Sequence, residues 1–147
     1  MIVTEKPARE YELARLILRL SNQIVQNRDR HVRALGLTTA QADSLQFFLA
    51  HPDAAILDLK HHLGVTHQTA RGIVQRMEEK GLLQARRSQA DGRYQCIRTT
   101  EKGEALGQQL IRNGTRTGSR LLHNMNQEQQ DTFYALLQAA LNNVEQT

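Results

Sequence analysis

Leu13, Leu16, Ile17, Leu20 and Ile24 recur at the spacing of one helix face, with Arg15, Arg19 and Asn22 between them. Pro7 suits the first turn of that helix, where a missing N–H leaves nothing unsatisfied, and the pattern runs to about Arg33, ahead of Gly36. A second helix opens at Thr38 or Thr39 as N-cap and turns Ala42, Leu45, Phe48 and Leu49 inward until His51-Pro52 ends it. Ala55 and Ile56 then read as a very short strand, Asp58 to Leu63 as a short helix, and Gly64 as its C-terminal turn residue. Thr66 caps the next helix, whose Ala70, Ile73, Val74 and Met77 form an inward stripe that stops at Gly81. Leu82–Arg87 and Arg93–Thr99 can pair as strands around the turn Ser88–Gly92.

Beyond Thr100 the pattern lengthens. Residues 101–122 carry Leu106, Leu110, Ile111, Leu121 and Leu122 on a helix interrupted by Gly107, Gly114 and Gly118. Each interior glycine costs about 0.5–1 kcal/mol against alanine, so such a helix depends on packing. Asn124 or Asn126 caps a last helix bearing Phe133, Leu136, Leu137, Leu141 and Val144. The expected fold is mainly α with a small β wing (α+β). A winged helix-turn-helix over residues 37–100 is flanked by helical dimerisation regions at 1–36 and 101–147. The amphipathic ends need an apolar partner; a second copy of the same ends is the economical one, and an intrachain bundle is the alternative.

Composition narrows the chemistry. Of 147 residues, 39% are apolar but only 4% aromatic, with no Trp, which favours helix packing over aromatic cages or base-stacking platforms. The net charge of +4 is unevenly spread: +1 over residues 1–54, +4 over 55–99 and −1 over 100–147. The excess therefore sits on the central module, where phosphates would be met. The one cysteine, Cys96, excludes an intrachain disulfide and suits a reducing compartment. The start MIVTEKPARE has no apolar signal core, and no apolar run approaches the ~20 residues of a membrane span. A cytoplasmic protein without membrane contact is expected.

A helix enters a DNA major groove because its width fits, and it reads base edges with donors and acceptors. The outer side of the Thr66-capped helix offers His67, Gln68, Thr69, Arg71 and Gln75 for that purpose. Arg86, Arg87 and Arg93 bracket the hairpin turn, where an arginine can enter the negative potential of a minor groove. Arg86 and Arg87 equally fit the solvated edge of a two-stranded ribbon. Asp91 shares the sign of DNA, so its expected role is to orient the wing, as an Asx-type turn residue or a partner of Arg93.

The order of these segments resembles the MarR-type winged-helix transcriptional regulators. Leu37-Thr38 and Gln41 open a helix, LGVTHQTARGIVQRMEEKGLLQARRSQADGR follows, and TTEKG comes after the wing. The most specific parts are EEKGLL, Asp91-x-Arg93 and Thr100-Glu101-Lys102-Gly103. The resemblance covers nearly the whole chain. It implies a homodimer joined by helices from both termini, a pseudo-palindromic double-stranded DNA operator, and most often repression. It also implies that Arg93 reaches the minor groove while His67 to Gln75 lie in the major groove. Two departures stand out: Gly92 occupies the middle of the common Asp-Arg-Arg, and Thr99 replaces the usual leucine before the helix cap.

Many such proteins lose DNA affinity when a small aromatic or anionic effector enters a cleft between reading module and dimer helices. Arg28, Arg30, His31 and Arg33 are the candidates here for lining it, or else ordinary members of a solvated face. Cys96, in a wing strand, invites a redox reading, although a buried strand thiol is usually inert. His61, His62 and His67 invite a metal, but adjacent helical side chains diverge and no ligand cluster with zinc spacing accompanies them. Asp58 beside His61 or His62 is as well explained by a surface ion pair as by catalysis. No enzyme activity, cofactor or metal is expected. The alternative function is a winged-helix protein-interaction module without sequence-specific DNA binding.

Overall fold

A computed structural model describes residues 6–87, 92 and 95–146. The element order is α1 (Arg9–Ala34), α2 (Thr39–Ala50), α3 (Ile56–Leu63), α4 (His67–Glu79), β1 (Leu83–Arg87), β2 (Gln95–Thr99), α5 (Glu101–Leu121) and α6 (Gln127–Glu145). The chain divides into two compact units, Met1–Asn113 and Gly114–Thr147.

The helices of the helix-turn-helix region start where a side chain satisfies a free backbone donor. Thr38 caps α2: its hydroxyl accepts from Gln41 N at 3.1 Å, and Gln41 Oε1 accepts from Thr38 N at 3.2 Å, a reciprocal capping box. Thr66 caps α4 by accepting from Thr69 N at 3.1 Å. The expected strand at Ala55 and Ile56 is replaced by the start of α3, because Asp58 Oδ2 takes the Ala55 N–H at 2.8 Å and commits the chain to a helical turn. The contact with the sheet falls one residue earlier, where Ile97 N donates to Ala54 O at 2.8 Å. Pro7 lies just outside α1 rather than in its first turn, since Ala8 takes the extended N-cap conformation and helical geometry begins at Arg9.

Gly64 closes α3 in the left-handed region at φ 67°. Gly81 does the same after α4 at φ 74°. These are conformations that a side chain disfavours, so the turn of the helix-turn-helix and the entry to the wing are both set by glycine. The wing pairs β1 with β2 antiparallel, from Leu83 opposite Thr99 to Arg87 opposite Gln95. The predicted turn Ser88–Gly92 lies outside the described residues except for Gly92.

The core of this unit joins α2, α3, α4 and the base of the wing. Leu45, Phe48, Leu59, Met77, Leu82 and Ile97 are all buried in one cluster. Burying side chains of this size stabilises by about 1.5–3 kcal/mol each. α1 contributes Val32 near its end, whereas Leu13, Leu16, Ile17 and Leu20 are exposed.

In the second unit α5 ends in a turn through Asn124, left-handed at φ 65°. Asn126 is the cap of α6, in a capping box with Gln129, which resolves the choice between the two asparagines. Leu136, Leu137, Leu141 and Val144 of α6 are exposed. No described helix is long and apolar enough to cross a membrane.

The glycines of α5 divide into two kinds. A Cβ on Gly103 would overlap the Leu82 carbonyl oxygen, and one on Gly107 would overlap a terminal methyl of Leu49, whereas Gly114 and Gly118 face open space. Close approach therefore explains the first pair. Gly103→Ala is expected to lower stability by about 1–3 kcal/mol, because a backbone oxygen cannot yield. Gly107→Ala should be milder, because the Leu49 methyl can rotate away. Urea unfolding midpoints of the two variants, compared with the parent protein, check the order.

Candidate nucleic-acid interface

α4 has two chemically distinct sides. Ala70, Ile73, Val74 and Met77 are buried. His67, Gln68, Thr69, Arg71, Gln75 and Arg76 are exposed. The buried stripe fixes the rotation of the helix about its own axis, and the polar residues are then presented outward together. Thr69 differs from the others, since its Oγ1 lies 2.9 Å from Thr66 Oγ1 and is tied into the N-cap. Arg71, Gln75, His67 and Gln68 make no hydrogen bond or ion pair with any described residue, so their polar groups remain available to a partner. Sequence reasoning overlooked Arg76. The same burial stripe finds it, since it lies one turn beyond the partly exposed Gly72 on the outward side.

The wing separates its basic residues. Arg86 is opposite Cys96 and Arg87 opposite Gln95, and successive strand residues point to opposite faces. Arg86 lines a cavity of about 290 Å3 with Phe48, Arg98, Thr99 and Glu104. Arg87 is exposed on the other face. Arg93 and Asp91 lie outside the described residues. Arg98, also in β2, donates to Asp53 Oδ1 at 2.8 Å. That hydrogen bond, and then the negative charge of Asp53, hold the guanidinium above its ordinary pKa. Cys96 is free and buried.

The base of the wing is tied to both neighbouring helices. Thr100 Oγ1 donates to Gly81 O at 2.6 Å and accepts from Gly103 N at 3.0 Å. Lys80, the C-cap of α4, donates from Nζ to Gly36 O at 2.6 Å and to Gln41 Oε1 at 2.9 Å. Lys102 Nζ donates to Lys80 O at 3.0 Å. The end of α4 is thereby held to the α1–α2 turn and to the start of α5. Sequence reasoning missed this part, because contacts over such separations leave no local pattern.

The four candidate effector residues differ in their contacts among the described residues. Arg28 forms an ion pair with Asp43 of α2. Arg33 Nε donates to Asp29 O at 3.4 Å. Arg30 is exposed, and His31 is half-buried with Nε2 lacking a partner among the described residues. The cavity at the α1–α2 turn, about 360 Å3, is lined by Leu35, Leu37, Lys80, Leu82, Lys102 and Leu106 among others. His62 stacks on Phe47 with ring centroids 4.7 Å apart, and His51 meets the same ring at 4.7 Å, so packing accounts for both. Among the described residues no group of three His, Cys, Asp or Glu side chains is placed to hold a metal.

The module built from these parts has relatives. The MarR family model matches residues 35–93. A MarR family protein from Bacillus stearothermophilus superposes over 92% of this chain and 94% of its own, with TM-score 0.80 and 23% identity. This is the MarR-type winged-helix fold. A mutant of S. aureus MepR bound to an oligodeoxyribonucleotide shares it over 95% of this chain and 99% of its own, with TM-score 0.68 and 22% identity. S. aureus MepR bound to ethidium bromide does so over 94% and 97%, with TM-score 0.71 and 21% identity. No curated protein matches the chain. The resemblance carried by EEKGLL and the Thr100-Glu101-Lys102-Gly103 start thus holds, as does the expected MarR-type class of a mainly helical chain with a small β wing.

The two sides of α4 separate stability from surface chemistry. Thr66→Ala removes the cap and is expected to lower stability by about 1 kcal/mol. Arg71→Ala removes a side chain without a partner among the described residues and should stay within about 0.5 kcal/mol of the parent. Thermal unfolding of both variants checks the contrast.

Proposed function

We propose that this MarR-type protein is a sequence-specific double-stranded DNA-binding transcriptional regulator that works as a homodimer on a pseudo-palindromic operator. The observation that carries the reading is the outward face of α4, where His67, Gln68, Arg71 and Gln75 are exposed beside a basic wing, with no partner among the described residues. Residues 55–99 hold a net charge of +4, which suits a phosphate backbone. The MepR mutant that binds an oligodeoxyribonucleotide supports the same use of a shared fold. In this reading Gln68 and Gln75 pair with adenines, Arg71 with guanine or phosphate, Arg87 with the backbone, and Arg93, oriented by Asp91, with the minor groove.

The homodimer is supported by apolar surface at both ends of the chain, Leu13, Leu16, Ile17 and Leu20 on α1 and Leu136, Leu137, Leu141 and Val144 on α6. A two-fold dimer would place its reading helices about 34 Å apart, one turn of DNA. We assign the protein the role of a cytoplasmic repressor relieved by a small aromatic or anionic molecule. The cavity at the α1–α2 turn supports that assignment. Its wall of leucines is rimmed by Lys80 and Lys102, whose ammonium groups meet only neutral oxygens among the described residues.

Binding to duplex DNA carrying the region beside its own gene, followed as salt is raised, tests the reading. Specific affinity should fall linearly on a log–log plot, with a slope of about −0.9 for each phosphate contacted. Arg71→Ala should cost about 1–3 kcal/mol of specific binding if it reads a base. Arg93→Ala should weaken binding most where the operator has a narrow, A·T-rich minor groove, since the negative potential that attracts an arginine is strongest there. Unchanged affinity in both variants, or no sequence preference at low salt, would point instead to a protein-interaction module.

A further inference from the structure

Gly72 has no reason within the described chain to be glycine. It sits in the interior of α4, where alanine would make a more stable helix. Nothing lies within 4 Å of a Cβ built on it, and its φ is not positive. Gly103 and Gly107, by contrast, are required by close approach, and Gly36, Gly64 and Gly81 by left-handed turns. Gly114 and Gly118 are also open, but they belong to the second unit, on α5.

What distinguishes Gly72 is its position. Its neighbours on the helix surface are Gln68 and Thr69 one turn before, and Gln75 and Arg76 one turn after. All four are exposed, and the buried residues Ala70, Ile73, Val74 and Met77 occupy the other side. Gly72 is therefore a bare stretch of backbone in the middle of the outward polar face. A major groove is about 12 Å wide, and a helix with its side chains spans about 10–12 Å, so the margin for insertion is small.

We propose that Gly72 is a positioning residue for DNA recognition: the missing side chain lets α4 seat close to a base-pair edge, bringing Gln68, Arg71 and Gln75 within reach of the bases. The proposal rests on the DNA-binding reading above and adds to it the depth at which α4 docks. The open volume outside Gly72 in the free protein is the space that the edge of the base pair fills. Adding a methyl group there leaves the fold intact and holds the helix away from the bases, while contacts to the more distant phosphates persist.

The test uses the full chain and a duplex that the wild-type protein selects from a random-sequence pool. Gly72→Ala is expected to raise the melting temperature by a few degrees, since it improves the helix without a clash. It is expected to weaken binding to the selected duplex by about tenfold or more, with far less effect on an unrelated duplex at low salt. Gly72→Leu should weaken specific binding further, a dependence on side-chain size that a purely structural role does not produce. An alanine variant that binds the selected duplex within about twofold of wild type, while Arg71→Ala is weakened, overturns the role of Gly72 and leaves the DNA reading standing. A wild-type protein that selects no sequence overturns both.

Discussion

The burial of one stripe of α4 is the constraint on which the rest of this structure depends. Ala70, Ile73, Val74 and Met77 enter a core formed with Leu45, Phe48, Leu59, Leu82 and Ile97. A close-packed interior resists rotation of such a helix, because turning it would bring exposed polar groups into the core and push methyl groups into water. The side facing outward is thus fixed by the side facing inward. His67, Gln68, Arg71, Gln75 and Arg76 are then presented as a set whose backbone is held by the core beneath it.

Three junctions keep that set in register with its surroundings. Gly64 turns the chain from α3 into α4, and Thr66 anchors the first turn of α4. At the other end Lys80 ties the helix to the α1–α2 turn, and Thr100 ties the wing base to α5 through Gly81. Lys80 and Lys102 also rim the cavity beside Leu35 and Leu37. In the proposed function, a molecule entering that cavity would act on the bonds that hold the end of α4, a physical route from ligand to helix. An effect of this kind needs the ligand to favour one arrangement of α4 over another, by whatever free energy it contributes differently to the two.

Much of the fold was legible in the chain because the signals are local. Gly36, Gly64 and Gly81 mark turns through their backbone conformation, Thr38 and Thr66 mark helix starts through a hydrogen bond that spans three residues, and the apolar period marks the inner faces. The errors are local too, and small. Ala55 and Ile56 read as a strand, but Asp58 captures the Ala55 N–H and starts a helix there, leaving the sheet contact to Ala54. The candidate site was legible on α4, where burial period and polar residues coincide. It was less so at the cavity of the α1–α2 turn, because which residues share a cavity depends on packing between distant segments.

The sequence by itself determined which residues of α4 must be inside, where its helix begins and ends, and that a basic two-stranded wing follows. Those properties follow from a repeat of 3.6 residues, from caps and from turn glycines, all of which act within a few residues. Only the tertiary structure decided that Lys80 and Lys102 meet at one cavity, that Arg86 shares a cavity with Phe48 and Glu104, and that Gly103 and Gly107 are packing sites whereas Gly72 is open. The reason is physical: whether a position is crowded or empty depends on atoms brought from far along the chain, and a glycine in the sequence looks the same in either case.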